Sequence, residues 1–118
     1  MARTPEGEIV NAICEYLALK KRFFYRNNNT PIFDPTRKGF RAMPKYTMRG
    51  IPDIICVNDA RYIGIEVKTE KGRLSEDQHE FGRSFILAGG KYIVAHGIDD
   101  VQKCRTIGGV AHGIDTRG

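Results

Sequence analysis

Residues 51–69 read IPDIICVNDARYIGIEVKT, and this stretch decides the fold. Two apolar runs flank Asn58-Asp59-Ala60-Arg61, whose Asn and Asp are turn formers, so the pattern predicts a β-hairpin. In the second arm Ile63, Ile65 and Val67 alternate toward a core, while Glu66 and Lys68 share the opposite face. If the hairpin is symmetric about the Asp59–Ala60 bond, Asp53 stands directly across from Glu66. Cross-strand neighbours have Cβ atoms roughly 5 Å apart. Two carboxylates that close repel unless something positive sits between them. A hard divalent cation bound through carboxylate oxygens answers that need. Lys68 beside such an ion suits an ammonium that holds a phosphate and stabilises developing charge. On Glu-x-Lys alone, an ordinary strand face of alternating charge is the simpler reading.

Outward from the hairpin, residues 4–20 predict a helix. Thr4 caps it, Pro5 fits its first turn, and Ile9, Val10, Ile13, Tyr16 and Leu17 fall on one face. With Glu6 at zero on the helical wheel, Leu17, Val10 and Ile13 lie within roughly 40° of it at ~100° per residue. Glu6 therefore sits in the core-facing sector, where a carboxylate wants a partner. Glu8 falls in the polar sector with Asn11 and Glu15. A frayed first turn with Glu6 simply solvated is the alternative. Residues 22–27 read as a first strand. Residues 28–50 carry three prolines and two glycines and read as a long loop. Arg37, Lys38, Arg41, Lys45 and Arg49 there suit an arm on a phosphate backbone, or only a solvated loop.

After the hairpin, Ser75 and Gln78 form a capping box that starts a second helix. Phe81, Phe85, Ile86 and Leu87 supply its expected apolar face, and Gly89-Gly90 stops it. KYIVAH predicts another strand, and residues 99–107 a short final helix. The order α-β-β-β-α-β-α is a mixed α/β layer structure. The hexapeptide VAHGID occurs at Val94–Asp99 and again at Val110–Asp115. One copy on each side of a single short segment is no solenoid.

The chain has 118 residues, 41% hydrophobic and 28% charged, which bounds it to one globular domain. A core at about 4–101 is expected, with residues 108–118 a flexible tail. No run of ~18 apolar residues suggests a membrane span. The N-terminus MARTPEGE lacks the apolar region of a secretory signal. Cys14, Cys56 and Cys104 match neither a disulfide framework nor a CxxC metal site, so a reducing cytoplasm is expected. His79, His96 and His112 have no metal-ligand spacing, and the paired glycines lack a phosphate-cradling context. Nineteen Lys and Arg against fourteen Asp and Glu give +5, a weak pointer to nucleic acid.

Pro52-Asp53 followed by Glu66-Val67-Lys68 resembles the PD-(D/E)xK nuclease signature. The wider text RGIPDIICV, YIGIEVKTEKGRLSEDQHEF and GGKYIVA resembles the VRR-NUC family of virus-type replication and repair nucleases. The likeness runs from about Thr4 to Val101. It implies a restriction-endonuclease-like αβββαβ core, a mixed central sheet flanked by helices. It implies Asp53 and Glu66 as metal ligands, the Val67 carbonyl completing the site, Lys68 as catalytic lysine and Gln78 as an active-site helper. It also implies a metal-facing helix glutamate, matched by Glu6 or Glu8, between which the wheel selects Glu6. Val10 departs from the polar residue expected there.

The expected activity is a divalent-metal-dependent endonuclease on DNA, with Mg²⁺ as default cofactor, Mn²⁺ as substitute and no organic cofactor. Arg26, Arg37, Lys38, Arg49, Lys71 and Arg73 are the candidates for backbone contact. A chain this short leaves little room for a reading module, which favours recognition of DNA shape. The resemblance further implies Holliday-junction-resolvase-like action on branched DNA by a homodimer, in recombination or repair, in a prokaryotic or phage-infected cytoplasm. A sequence-specific restriction or homing nuclease and an inactive DNA-binding module are the alternatives. The second would lack an acid or the lysine, and none is missing.

Overall fold

The structure, a computed structural model, describes residues 4–27, 33–34, 39–40 and 44–108. The hairpin forms as its sequence dictates. Strand β4 (Ile54–Asn58) pairs antiparallel with β5 (Arg61–Val67), Ile54 opposite Ile65 and Asn58 opposite Arg61. Asp59 and Ala60 have φ of 59° and 63°, the paired left-handed conformation of a type I′ turn. That turn matches the twist of its strands and fixes their register. The symmetric pairing expected from the sequence is thus observed.

Strand β1 (Phe23–Arg26) adds antiparallel to β4, and β6 (Lys91–Ala95) adds parallel to β5, giving the sheet order β1-β4-β5-β6. The parallel pair needs a crossover, which helix α2 (Glu76–Leu87) supplies. Helix α1 (Pro5–Leu19) starts at its expected cap, Gly7 N–H donating to Thr4 Oγ1 at 2.9 Å. It lays Val10, Ile13 and Leu17 on the sheet face made by Ile54, Cys56, Ile63, Ile65 and Val67. These elements form the αβββαβ core, with helices on both sides of the sheet.

Three expectations are corrected. First, the long loop contains a second, two-stranded sheet of β2 (Phe33–Asp34) and β3 (Gly39–Phe40). Prolines and glycines mark turns, and turns also join short strands. Second, the single final helix is two, α3 (Ile98–Gln102) and α4 (Arg105–Gly108), whose Val101 and Ile107, with Cys104 between the helices, close one end of the core. Third, Ile86 and Leu87 do not face the sheet but are 55% and 88% exposed. The sheet-facing stripe of α2 runs Gln78–Gly82–Phe85. Gly82 suits this close approach, since a Cβ there would lie 3.0 Å from the Tyr92 ring. No helix among the described residues is long and apolar enough to cross a membrane. The second VAHGID copy lies outside the described residues.

Candidate active site

Four functional side chains converge where β4, β5 and α2 meet. Asp53 immediately precedes β4, in line with the position opposite Glu66. Its Oδ2 accepts the Val67 N–H at 2.7 Å, so the backbone of β5 holds the carboxylate in place. Glu66 belongs to the opposite strand and is only 3% exposed. The sequence reading placed it on a projecting charged face. In the structure α2 covers that face, and Glu66 is the buried charge of the protein core among the described residues.

Gln78 explains how such a charge is held. Its Oε1 accepts the Ser75 N–H at 2.8 Å, while the Gln78 N–H donates to Ser75 Oγ at 3.1 Å. Because the cap consumes the amide oxygen, the amide nitrogen must point the other way. It donates to Glu66 Oε2 at 3.0 Å. Capping and site support were competing readings of Gln78, and the side chain does both. Lys68 Nζ stands 3.8 Å from the same Glu66 oxygen.

The other oxygen, Glu66 Oε1, is buried without a hydrogen-bond partner. Burial first, and then the like charge of Asp53, push the Glu66 carboxyl up to about 8 against the opposing pull of Lys68. The Glu6 carboxylate adds a smaller upward push. Glu6 is half-buried on the stripe of Val10 and Ile13, whereas Glu8 is exposed. Among the described residues, however, no three His, Cys, Asp or Glu side chains close into a metal cage. Asp53 and Glu66 form the carboxylate pair, and Glu6 adds to the field around it. A paired-carboxylate site with an orphaned oxygen fits a hard cation that keeps several waters.

Gly50 and His96 are structural supports that sequence reading missed. Gly50 has φ of 71°, and any Cβ there would overlap the backbone of Asp77. The Arg49–Gly50 segment thus lies directly against the first turn of α2. His96 Nδ1 is 3.2 Å from the carbonyl oxygens of Lys68 and Thr69, bracing the end of β5. The parallel register, Val67 opposite Ala95, was the signal that could have placed it there. Tyr92 also lies on the Glu66 face, with its hydroxyl buried and unpartnered and its pKa raised to about 12, mainly by burial.

Arg26, Arg49, Lys71 and Arg73 are exposed, and Arg26 Nη1 reaches Asn11 Oδ1 at 3.4 Å. Arg37 and Lys38 lie outside the described residues.

Comparison with known proteins bears on this arrangement. A family model described as the VRR-NUC domain matches residues 36–99. Among solved structures, a chain titled VRR-NUC domain superposes with a TM-score of 0.59 at 18% identity, covering 85% of this chain and 92% of that one. A VRR-NUC domain protein superposes equally, at 0.59 and 19% identity, covering 95% and 99%. No curated protein matches. The two structures share the fold of an α/β nuclease. The family model spans both arms of the hairpin, the capping box and β6, more than half of the sequence. The chain belongs to the VRR-NUC family of nucleases.

Proposed function

We propose that this protein is a divalent-metal-dependent endonuclease that hydrolyses phosphodiester bonds in DNA. The observation that carries the reading is the Asp53–Glu66 carboxylate pair, in which Glu66 is buried with one unpartnered oxygen and Lys68 stands alongside. Asp53, Glu66 and the Val67 carbonyl would hold the cation, with Mg²⁺ the natural choice and Mn²⁺ a substitute. When bound, it supplies Lewis-acid polarisation of the phosphoryl oxygen and a more acidic water. The chain's own residues do the rest. Asp53 is fixed by the Val67 N–H, so its geometry is set before substrate arrives. Gln78 orients Glu66. The Lys68 ammonium stabilises negative charge as it develops on the phosphate. Arg49, Lys71 and Arg73 flank the site in sequence and suit backbone contact, as does Arg26 on β1.

Selectivity for branched DNA, in the manner of a Holliday-junction resolvase, is part of the same proposal. A C2 homodimer would bring two such sites to two strands. The test is cleavage of a four-way junction, a flap, a linear duplex and a single strand, with Mg²⁺, Mn²⁺ or EDTA. Wild type is run beside Asp53→Ala and Lys68→Ala. Junction-selective cutting that needs the metal and is lost in both variants is expected. Equal cutting of every substrate would remove the junction preference. Cutting that persists in EDTA or in Asp53→Ala would remove the metal reading.

A further inference from the structure

Lys68 carries its ammonium at the end of a long, flexible stem, yet the side chain is only 15% exposed. Its main chain is fixed, because the Lys68 N–H donates to the Ala95 carbonyl at 3.0 Å and extends the β5–β6 ladder by one residue. Its stem is covered by the turn that follows. The Gly72 N–H donates to the Thr69 carbonyl at 2.9 Å, which closes residues 69–72. Gly72 then lies against the lysine, since a Cβ built there would be 3.4 Å from Lys68 Cβ and Cδ. A long side chain loses rotamer freedom when its stem is packed, so this turn helps set where Nζ stands, 3.8 Å from Glu66 Oε2.

A side chain from outside β5 holds that turn. His96 follows β6, and its Nδ1 is 3.2 Å from both the Lys68 and the Thr69 carbonyl oxygens. Carbonyls only accept, so Nδ1 carries a hydrogen, in the neutral ring and in the imidazolium alike. The contact therefore survives a change in ring charge. The Thr69 carbonyl takes two donors, Gly72 from within the turn and His96 from beyond it. His96 is itself anchored on both sides. Ala95 before it is fully buried, and the His96 N–H donates at 2.8 Å to Asp100 Oδ2 in α3, whose next residue, Val101, belongs to the core. Contacts thus run from the core through α3 and His96 to the turn and the lysine stem. The ring is exposed, so burial does not explain a histidine there.

We infer that His96 is a positioning residue for Lys68: it pins the Thr69–Gly72 turn, and the turn holds the ammonium beside Glu66. The inference rests on the endonuclease reading and adds a residue to the same site. Because His96 acts through Lys68, losing its ring slows cleavage more than it weakens binding. An exposed cation such as Lys71 attracts phosphates over roughly 10 Å wherever the turn drifts. An ammonium aligned with developing charge tolerates far less displacement, since a shift of about 1 Å can cost about 100-fold in rate.

Three substitutions separate the contact from the bulk of the ring. In His96→Asn the side-chain amide stands where Nδ1 was, in His96→Gln it stands where Nε2 was, and His96→Ala has neither. Hydrogen exchange in EDTA, followed by NMR on the full chain, reads the turn without metal or DNA. The Gly72 amide should exchange about 10-fold faster in His96→Ala and His96→Gln and return toward the wild-type rate in His96→Asn. The Ile63 and Ile65 amides of the core should not change. Acylation of Lys68 by a small amine reagent, mapped by mass spectrometry in the same buffer, should quicken in the same two variants. In single-turnover cleavage with Mg²⁺, His96→Ala should be roughly 10- to 100-fold slower, with His96→Asn recovering most of the rate. DNA affinity by anisotropy in EDTA should stay within about threefold. Unchanged exchange at Gly72 would overturn the inference, as would a rise shared equally by Ile63 and Ile65, which would make His96 a support of the whole fold. A loss of affinity as large as the loss of rate would also overturn it and make the ring a DNA contact. If wild type cuts no substrate with Mg²⁺ or Mn²⁺, the endonuclease reading fails, and the exchange and acylation results alone decide whether His96 holds Lys68.

Discussion

Replacing Glu66 by Gln should stabilise the metal-free protein at pH 8 while abolishing cleavage. Glu66 is buried, shares its space with Asp53, and has its pKa raised from 4.5 to about 8. A raised carboxyl pKa means that the native state holds its proton more tightly than the unfolded chain. The stability this provides is complete below about pH 4.5, falls as pH rises, and is gone above about pH 8. Between pH 5 and pH 8 the loss is on the order of 3 kcal/mol. The amide introduced by Glu66→Gln has no such proton to lose. Its oxygen can still accept from Gln78. Urea unfolding followed by circular dichroism, with EDTA at pH 5 and pH 8, measures the effect. The gain of Glu66→Gln over wild type should grow by about 3 kcal/mol between the two pH values, a shift of roughly 10 °C in Tm. Every other titrating group is common to both proteins, so the difference between them isolates residue 66. An equal gap at both pH values would refute the reasoning. Magnesium added at pH 8 should raise the wild-type midpoint and leave the variant nearly unmoved, because a ligand stabilises only the state that binds it.

Two further substitutions separate the roles of the surrounding residues. Gln78→Ala should cost about 1 kcal/mol in thermal or urea melts through the lost cap, whereas Gln78→Glu keeps the cap but sets a third carboxylate against Glu66. Gln78→Glu should therefore match wild type at pH 5 and fall below it at pH 8, with cleavage reduced in both variants; identical pH profiles for Gln78→Glu and wild type would count against the shared amide. Gly50→Ala should cost about 2 kcal/mol or more, from its positive φ and the overlap with Asp77, and should lower cleavage although every polar site residue is intact. A melt and a cleavage rate both unchanged from wild type would show that the loop moves aside.

What could be read in the sequence is what short-range rules determine. The hairpin register followed from an Asn-Asp turn between alternating strands, and that register put Asp53 opposite Glu66. The Ser75–Gln78 box is local as well, since both partners sit within one helical turn. The depth of Glu66 was not legible, because it depends on α2 coming down on β5 after the intervening chain has turned back. The exposure of Ile86 and Leu87 was missed for a related reason. Their hydrophobicity was counted without the stripe through Gln78, Gly82 and Phe85, whose glycine gives no apolar signal yet marks the closest approach to Tyr92. β2 and β3 are too short for alternation to show at all.

Gln78 joins these two kinds of information. The amide oxygen is committed by a local rule of helix termini, and that commitment sets which atom faces Glu66. A buried carboxylate with a partner on one oxygen and none on the other is costly, and the fold tolerates it. Replacing the pair by apolar groups would relieve that cost, as is common for buried charge. The tolerated cost lies where the cation site is proposed, whereas the remaining buried side chains of the core are apolar. Gly50 extends the same logic: its missing Cβ lets the segment before Asp53 lie on the helix turn that carries Gln78, so both sides of the carboxylate pair are set by one contact. Each of these devices constrains the position of Asp53 or Glu66, and none enlarges the core. The arrangement is that of a scaffold positioning charge, as catalysis by preorganised electrostatics requires.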